Sequence, residues 1–444
     1  MASSKKANAA LVTAVRVGDL AALHAALCAQ ADPNVYAGYE SVLSAAANYR
    51  PDEALALEMT RTLLDAGADP NARHSPQWDD RPIFFVAGYG HEAVARVLFD
   101  RGGIPFAPDG TPARNIDGET LLAAAARAGH LWLVEACLAA GLRPDDIDRQ
   151  GSTPLHYAMY RSDVRGIRAG KDCAAVATIL LAHGALLEHH RPGNWGTALH
   201  WAAEWGDPAG VRCLLAHGAD PEAATAESLK RPLHGAAERG PVGCVQALLD
   251  AGASVTATTR RGETALHLAG ARTRFKDLDH DGVIEALVAA GSDLHGREGG
   301  PLGWTPLGRA LSGLFDTHNA VELTPSRRSL LETFVRLGSP LDGFGSWGAA
   351  LVHVAARCDD PGLLAAALAK GASVDLYDGE GYTALHLAAR YGGAATVRVL
   401  LEAGADRGAG TKTRRTVRGV VLGKGWTAEK VARAVGRDEI AALL

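Results

Sequence analysis

One sentence is written over and over along this chain. LLDAGADPNAR (Leu63 to Arg73), LLAHGADPEAA (Leu214 to Ala224), LLDAGASVTAT (Leu248 to Thr258), LAKGASVDLYD (Leu368 to Asp378) and LLEAGADRGAG (Leu400 to Gly410) are variants of it. Anchored on Gly67, Gly102, Gly141, Gly184, Gly218, Gly252, Gly291, Gly338, Gly371 and Gly404, the steps are 35, 39, 43, 34, 34, 39, 47, 33 and 33 residues. A floor near 33 with upward excursions describes a repeat array carrying insertions, and that excludes most compact folds at once.

A second phrase precedes each anchor: GSTPLHYA (Gly151 to Ala158), GETALHLA (Gly262 to Ala269), GWTPLGRA (Gly303 to Ala310) and GYTALHLA (Gly381 to Ala388). Thr153, Thr197, Thr264, Thr305 and Thr383 stand where a hydroxyl caps a helix start, and Pro154 and Pro306 follow at the first helical position. Ala202-Ala203, Ala236-Ala237 and Ala388-Ala389 are small enough for close helix approach. A second helix is apolar at helical spacing, as in Val397, Leu400 and Leu401, and the anchor glycine ends it in the left-handed region.

Together the two phrases resemble the ankyrin repeat, over roughly Ala9 to Leu444 in about twelve units. The resemblance implies an all-α ankyrin-repeat solenoid of helix-turn-helix units with short projecting β-turn or hairpin loops. One domain over 1–444 is expected: a degenerate N-terminal capping repeat at 8–38, regular repeats with insertions at 39–410, then a basic loop and a C-terminal capping repeat at 411–444. A unit of this kind cannot bury its apolar face alone, so neighbours must stack. Excess residues fall between paired helices at 161–171, 272–279 and 314–327, and in a projecting turn at 104–116.

Several features look like chemistry. KDLDHDGVIEALV (Lys276 to Val288) has the alternating Asp277, Asp279, Asp281 and the glycine of a calcium loop. A bidentate glutamate belongs where Val288 stands. Repeat register puts Val288 three residues before Gly291, beside Leu64, Leu138, Leu249 and Leu401, and so in the second helix as a core position. No metal is therefore expected, although a weak cation in the Asp277–Asp281 loop stays open. His156, His200, His234, His267, His353 and His386 recur once per repeat. Stacked helices lie about 8–10 Å apart, too far for two such rings to share a zinc ion at about 2 Å from each, so each ring should hydrogen-bond between neighbouring units. The adjacent His189-His190, near His183, is read as turn residues.

The six cysteines are scattered singly and read as buried helix thiols. Net charge is −5, and the one basic loop, 411–425, does not make a nucleic-acid partner the expectation. Without an N-terminal leader pattern or an 18-residue apolar run, neither secretion nor a membrane partner is expected, and a cytoplasmic setting is. No GxSxG, P-loop or HExxH appears, so no enzyme and no cofactor are expected.

The resemblance finally implies a partner-binding face. In ankyrin proteins the residue between the Gly and the Thr, and the two after the Ala-Ala pair, line the concave side. Carried over, these positions hold Glu119, Ser152, Gly196, Glu263, Trp304, Ala349 and Tyr382, then Tyr89, Tyr160, Arg161, Glu204, Trp205, Glu238, Arg239, Arg390 and Tyr391. Exposed Trp, Tyr and Arg anchor interfaces. Tyr89, Tyr160, Trp205, Arg239, Trp304, Tyr382, Arg390 and Tyr391 are accordingly the expected contacts. The expected function is a monomeric, non-enzymatic scaffold binding another protein in its groove; a dedicated inhibitor or immunity-type protein is the alternative.

Overall fold

The structure is a computed structural model. It describes the chain except residues 1, 39, 50, 73–80, 90, 104, 108, 161–171, 272–279, 300–302, 313–322, 343–348 and 418–419; of 2–3, 89 and 415–422 it describes the backbone. Asp277, Asp279 and Arg161 thus lie outside the described residues, as does most of the insertions. The described residues form twenty-four helices and four short strands in two compact units, Met1–Ala226 and Glu227–Leu444.

In the first unit the helices come in six pairs: Ala2–Val17 with Leu20–Cys28, Val42–Ala47 with Glu53–Asp65, Pro82–Tyr89 with Glu92–Asp100, Leu121–Ala128 with Leu131–Ala139, Pro154–Met159 with Cys173–Ala182, and Ala198–Trp205 with Pro208–Ala216. First helices pack on first helices and second on second along the unit. The other unit holds six more: Pro232–Arg239 with Val242–Asp250, Ala265–Gly270 with His280–Ala289, Pro306–Leu311 with Pro325–Leu337, Leu351–Arg357 with Pro361–Ala369, Ala384–Tyr391 with Ala394–Glu402, and Ala428–Ala434 with Asp438–Ala441. The twelve pairs are the twelve repeats counted in the sequence. Two antiparallel hairpins project: Tyr36–Ala37 with Glu40–Ser41, and, inside the basic loop, Arg415–Val417 with Val420–Leu422.

Each pair is built the same way. The first helices are Ala-rich and buried almost all round, as in Leu121 to Ala126. Their caps combine a hydroxyl and a ring. Thr153 caps Pro154–Met159, and His156 turns back so that Nδ1 accepts the Thr153 N–H at 3.3 Å while Nε2 donates to the Gly196 carbonyl of the next repeat at 3.1 Å. His267 bridges Thr264 and Trp304, and His386 bridges Thr383 and Trp426, in the same manner. The expected histidine role is therefore observed. Arg231 and Ala350 replace the capping Thr, yet His234 and His353 still accept their N–H groups at 3.0 Å. Losing the hydroxyl does not remove the cap.

In the second helices the fully buried position lies four residues before the anchor glycine, as at Leu63, Leu98, Leu287 and Leu400. The position three before it is buried at Leu64, Leu138 and Val335 but half-buried in the other repeats. Val288 is only half-buried there, which corrects its assignment to the core. It still sits in the last turn of His280–Ala289, so a helix occupies the place of the last calcium ligand. The cysteines are also mixed: Cys137, Cys173 and Cys244 are buried, Cys213 and Cys358 partly so, and Cys28 is exposed because it closes the capping helix Leu20–Cys28.

Gly404 shows why the anchor recurs. Its φ is +84°, and a Cβ added there would meet nothing within 4 Å. Conformation, not space, selects glycine. Gly404→Ala is expected to lower stability by about 1–2 kcal/mol, and Gly404→Asn by less, measured by urea unfolding.

Candidate functional site

The candidate face is made by the turn residue just before each helix cap and the residues seven and eight after that cap. An Asx-type turn sets the first. Asp378 Oδ1 accepts the N–H groups of Glu380 and Tyr382 at 2.9 and 2.8 Å, while its own N–H bonds back to the Tyr382 carbonyl at 2.8 Å. Asp148 and Asn115 do the same for Ser152 and Glu119. These residues, five before the threonine, were missed in the sequence reading, although Asp or Asn ahead of a glycine is a turn signal.

At Glu119 and Lys230 the turn residue folds back on its own helix rather than reaching out. Glu119 is buried and meets Arg127 at 2.9 Å, with Asn115 donating to the same carboxylate at 2.8 Å. Burial pushes its carboxyl above the ordinary range, and Arg127 partly offsets this. Lys230 and Glu238 make the pair with signs exchanged, at 2.6 Å. Glu263 is met by Arg309 of the following repeat, which also lies 3.7 Å from Glu298.

Tyr382 follows the same path. It is 1% exposed, its ring edge-on to His386 at 6.2 Å between centroids. The expectation that it is an exposed contact is corrected: its turn tucks it inward, and a buried ring cannot anchor a guest. The others are half-buried with an accessible side. Tyr160 and Trp205 meet edge-on at 5.0 Å, and Tyr160 also touches Trp201 at 5.7 Å. Trp304 carries the Arg309 guanidinium at 5.4 Å. Tyr391 stands between two cations, Arg390 at 4.4 Å and Arg357 at 5.4 Å. Arg239 is half-buried at the end of its helix. The side chain of Tyr89 lies outside the described residues. So the structure groups the expected residues into an aromatic cluster, Tyr160 with Trp205, in the first unit and an arginine–tyrosine cluster in the second. Arg127 and Arg357 were missed, although each follows an Ala-Ala pair as Arg390 does.

Trp195 and Trp201 belong beside the first cluster. Gly196 has φ +67°, and a Cβ on it would strike the His200 ring, so the segment turns sharply. Trp201 is buried and donates to the Trp195 carbonyl at 3.1 Å; Trp195 stays 45% exposed, with Arg191 over its ring at 4.5 Å. His189 pairs with the Gly151 carbonyl at 3.0 Å, a turn-to-turn bond. Among the described residues no group of His, Cys, Asp and Glu is arranged to hold a metal, and no described helix is long and apolar enough to cross a membrane.

Family models described as ankyrin repeats match residues 113–169, 195–226, 233–279 and 328–444. The chain belongs to the ankyrin-repeat family. Among solved structures it is similar to the crystal structure of the human ASB11 ankyrin repeat domain, with 23% identity over 57% of this chain and 99% of that one and a TM-score of 0.44. No curated protein matches it. Ankyrin repeats are generally protein–protein interaction modules.

Proposed function

We propose that this ankyrin-repeat protein is a non-enzymatic scaffold that holds a partner protein against the turn-and-helix-end side of its repeats. The observation that carries the reading is the pair of clusters, Tyr160–Trp205 and Arg357–Tyr391–Arg390. Tyr160, Trp205, Arg390 and Tyr391 are held there half-buried by their neighbours, so little rotamer entropy is lost when a partner covers the remaining side. Elsewhere on these helices the small residues are spent on helix-to-helix packing. Trp304, at a turn position, is likewise propped by an arginine.

The test uses immobilised full-length chain, with mass spectrometry to identify what it retains from a lysate of its own cells. Alanine at Tyr160, Trp205 and Tyr391 together is expected to weaken capture of that partner at least about tenfold, with the helical circular dichroism and melting profile nearly unchanged. Tyr382 is left out, because its loss would act through folding. Undiminished capture by the triple variant contradicts the reading.

A further inference from the structure

The ten anchor glycines set one turn pattern, and the junction between the repeats of Gly291 and Gly338 departs from it at four positions. The residue after the anchor is alanine in six repeats, glycine or leucine in two, and serine only here, at Ser292 and Ser339. The residue two after the anchor can donate its backbone N–H to the side chain four after the preceding anchor. Leu186 does so to Asp145 at 2.7 Å, and Asp220 to Glu188, Ser373 to Asp342 and Asp406 to Asp375 at 3.0 Å. Here that rung is missing, because Pro340 has no N–H and His295 stands in the acceptor's place. A cavity of about 450 Å³ opens at the missing rung, with His295, Arg297 and Lys370 on its wall. Among the described residues no carboxylate pairs with any of the three, and Arg297 donates to the Gly303 carbonyl at 3.1 Å. The Ser339 hydroxyl, on the same wall, is 4% exposed and has no hydrogen-bond partner among the described residues. Thr305 Oγ1 accepts the Gly308 N–H at 3.1 Å and keeps its own proton to give. The carboxylate on the wall, Asp342, is held by the Ser373 N–H and hydroxyl at 3.0 and 2.5 Å.

We infer that this cavity is a binding site for a phosphomonoester. A tetrahedral dianion offers three oxygens to donors arriving from different sides, which suits basic side chains from two turns and hydroxyls between them. A carboxylate, flat and singly charged, would satisfy fewer of them. A metal ion fits poorly, since the wall sets one carboxylate, already bonded, against three basic groups. The volume leaves room for several carbon atoms behind the phosphate. A buried hydroxyl without a partner is costly where alanine would serve, as Ala253 and Ala372 do in the flanking repeats, and a bound oxyanion would complete it. None of these residues belongs to the Tyr160–Trp205 or Arg357–Tyr391–Arg390 cluster, so the site stands or falls apart from the scaffold reading.

Isothermal titration calorimetry of the full chain at low salt tests this with N-acetyl-phosphoserine amide, glycerol 3-phosphate, sodium sulfate and, as the uncharged control, N-acetylserine amide. Both phosphomonoesters are expected to saturate below about 1 mM, and the control to give no binding heat. Arg297→Gln removes an exposed cation, and Ser339→Ala installs the residue that most other repeats carry there. Each is expected to weaken phosphomonoester binding about tenfold with the wild-type melting profile kept. Tighter binding of the phosphoserine amide would assign the site to a phosphorylated side chain of a bound protein, and tighter binding of glycerol 3-phosphate to a free small molecule; both support it. Failure of both esters to saturate, or binding unchanged in Arg297→Gln and Ser339→Ala, overturns the inference. Sulfate held as tightly as either ester would mean an adventitious ion only, and overturns it too.

Discussion

Replacing Tyr382 by Ala is expected to destabilise the Glu227–Leu444 unit by about 3–5 kcal/mol, as deletion of a buried aromatic ring does. The ring is 1% exposed and packs edge-on against His386, the residue that caps its helix and ties it to the Trp426 carbonyl. Removing it leaves a void under a turn whose backbone remains held by Asp378. A folded repeat array adds up its unit and interface terms, so the loss should spread to the neighbouring repeats through their shared faces. Urea unfolding followed by circular dichroism checks this. A loss below about 1 kcal/mol would mean that Tyr382 lies outside the packed layer.

Acid is the second large lever. His156, His234 and His353 are almost fully buried, and burial lowers each to a pKa of about 4, against the hydrogen bonds their rings donate. The geometry works the same way: Nδ1 faces a backbone N–H and Nε2 donates to a carbonyl, which only the neutral ring satisfies. Between about 6.5 and 4 the unfolded chain therefore binds more protons than the folded one, and stability falls as pH falls through that window. Each ring accounts for up to about 3 kcal/mol. Asp378 acts in the opposite sense. Burial raises its carboxyl to about 6, so the folded state takes up a proton there first and gains on acidification. Glu298, also raised by burial, acts in the same sense, but these two carboxyls stand against four lowered rings in the unit, His234, His267, His353 and His386, which leaves a net loss. Chemical denaturation at pH 7 and pH 5 is expected to show the Glu227–Leu444 unit weaker at pH 5. His353→Ala is expected to cost about 3–4 kcal/mol at pH 7, since it strands the Ala350 N–H and the Leu376 carbonyl, and to flatten the pH dependence. A unit that grows more stable toward pH 5 contradicts this account of the caps.

Most of the architecture was legible because the repeat writes its own register. The helix pairs between the two caps, the ten left-handed anchor glycines and the histidine bridges could be placed from two phrases. The candidate face was legible by position but not by direction. Glu119 and Tyr382 share an offset with Trp304, and only the hydrogen bonds of Asn115 and Asp378 show that the first two fold inward. Arg127 and Arg357 could have been read from the same offset as Arg390. The pairing of Arg127 with Glu119 across eight residues exists only once the turn has closed. Val288 misled by one residue, because a position apolar in every repeat reads as core even where it lines a rim. The hairpin of Arg415–Val417 with Val420–Leu422 was hidden inside a loop read only for its charge, although valines on both sides of Arg418-Gly419 carry a strand and turn signal.

The most direct measurement is site-specific photo-crosslinking of the full chain to its captured partner. A photoreactive phenylalanine analogue at Trp205 and at Tyr391 is compared with the same analogue at Arg398 and Glu402, exposed positions on a second helix. The account predicts partner crosslinks from Trp205 and Tyr391 and none from Arg398 or Glu402. Crosslinks from the second-helix positions, with Trp205 and Tyr391 silent, would contradict it.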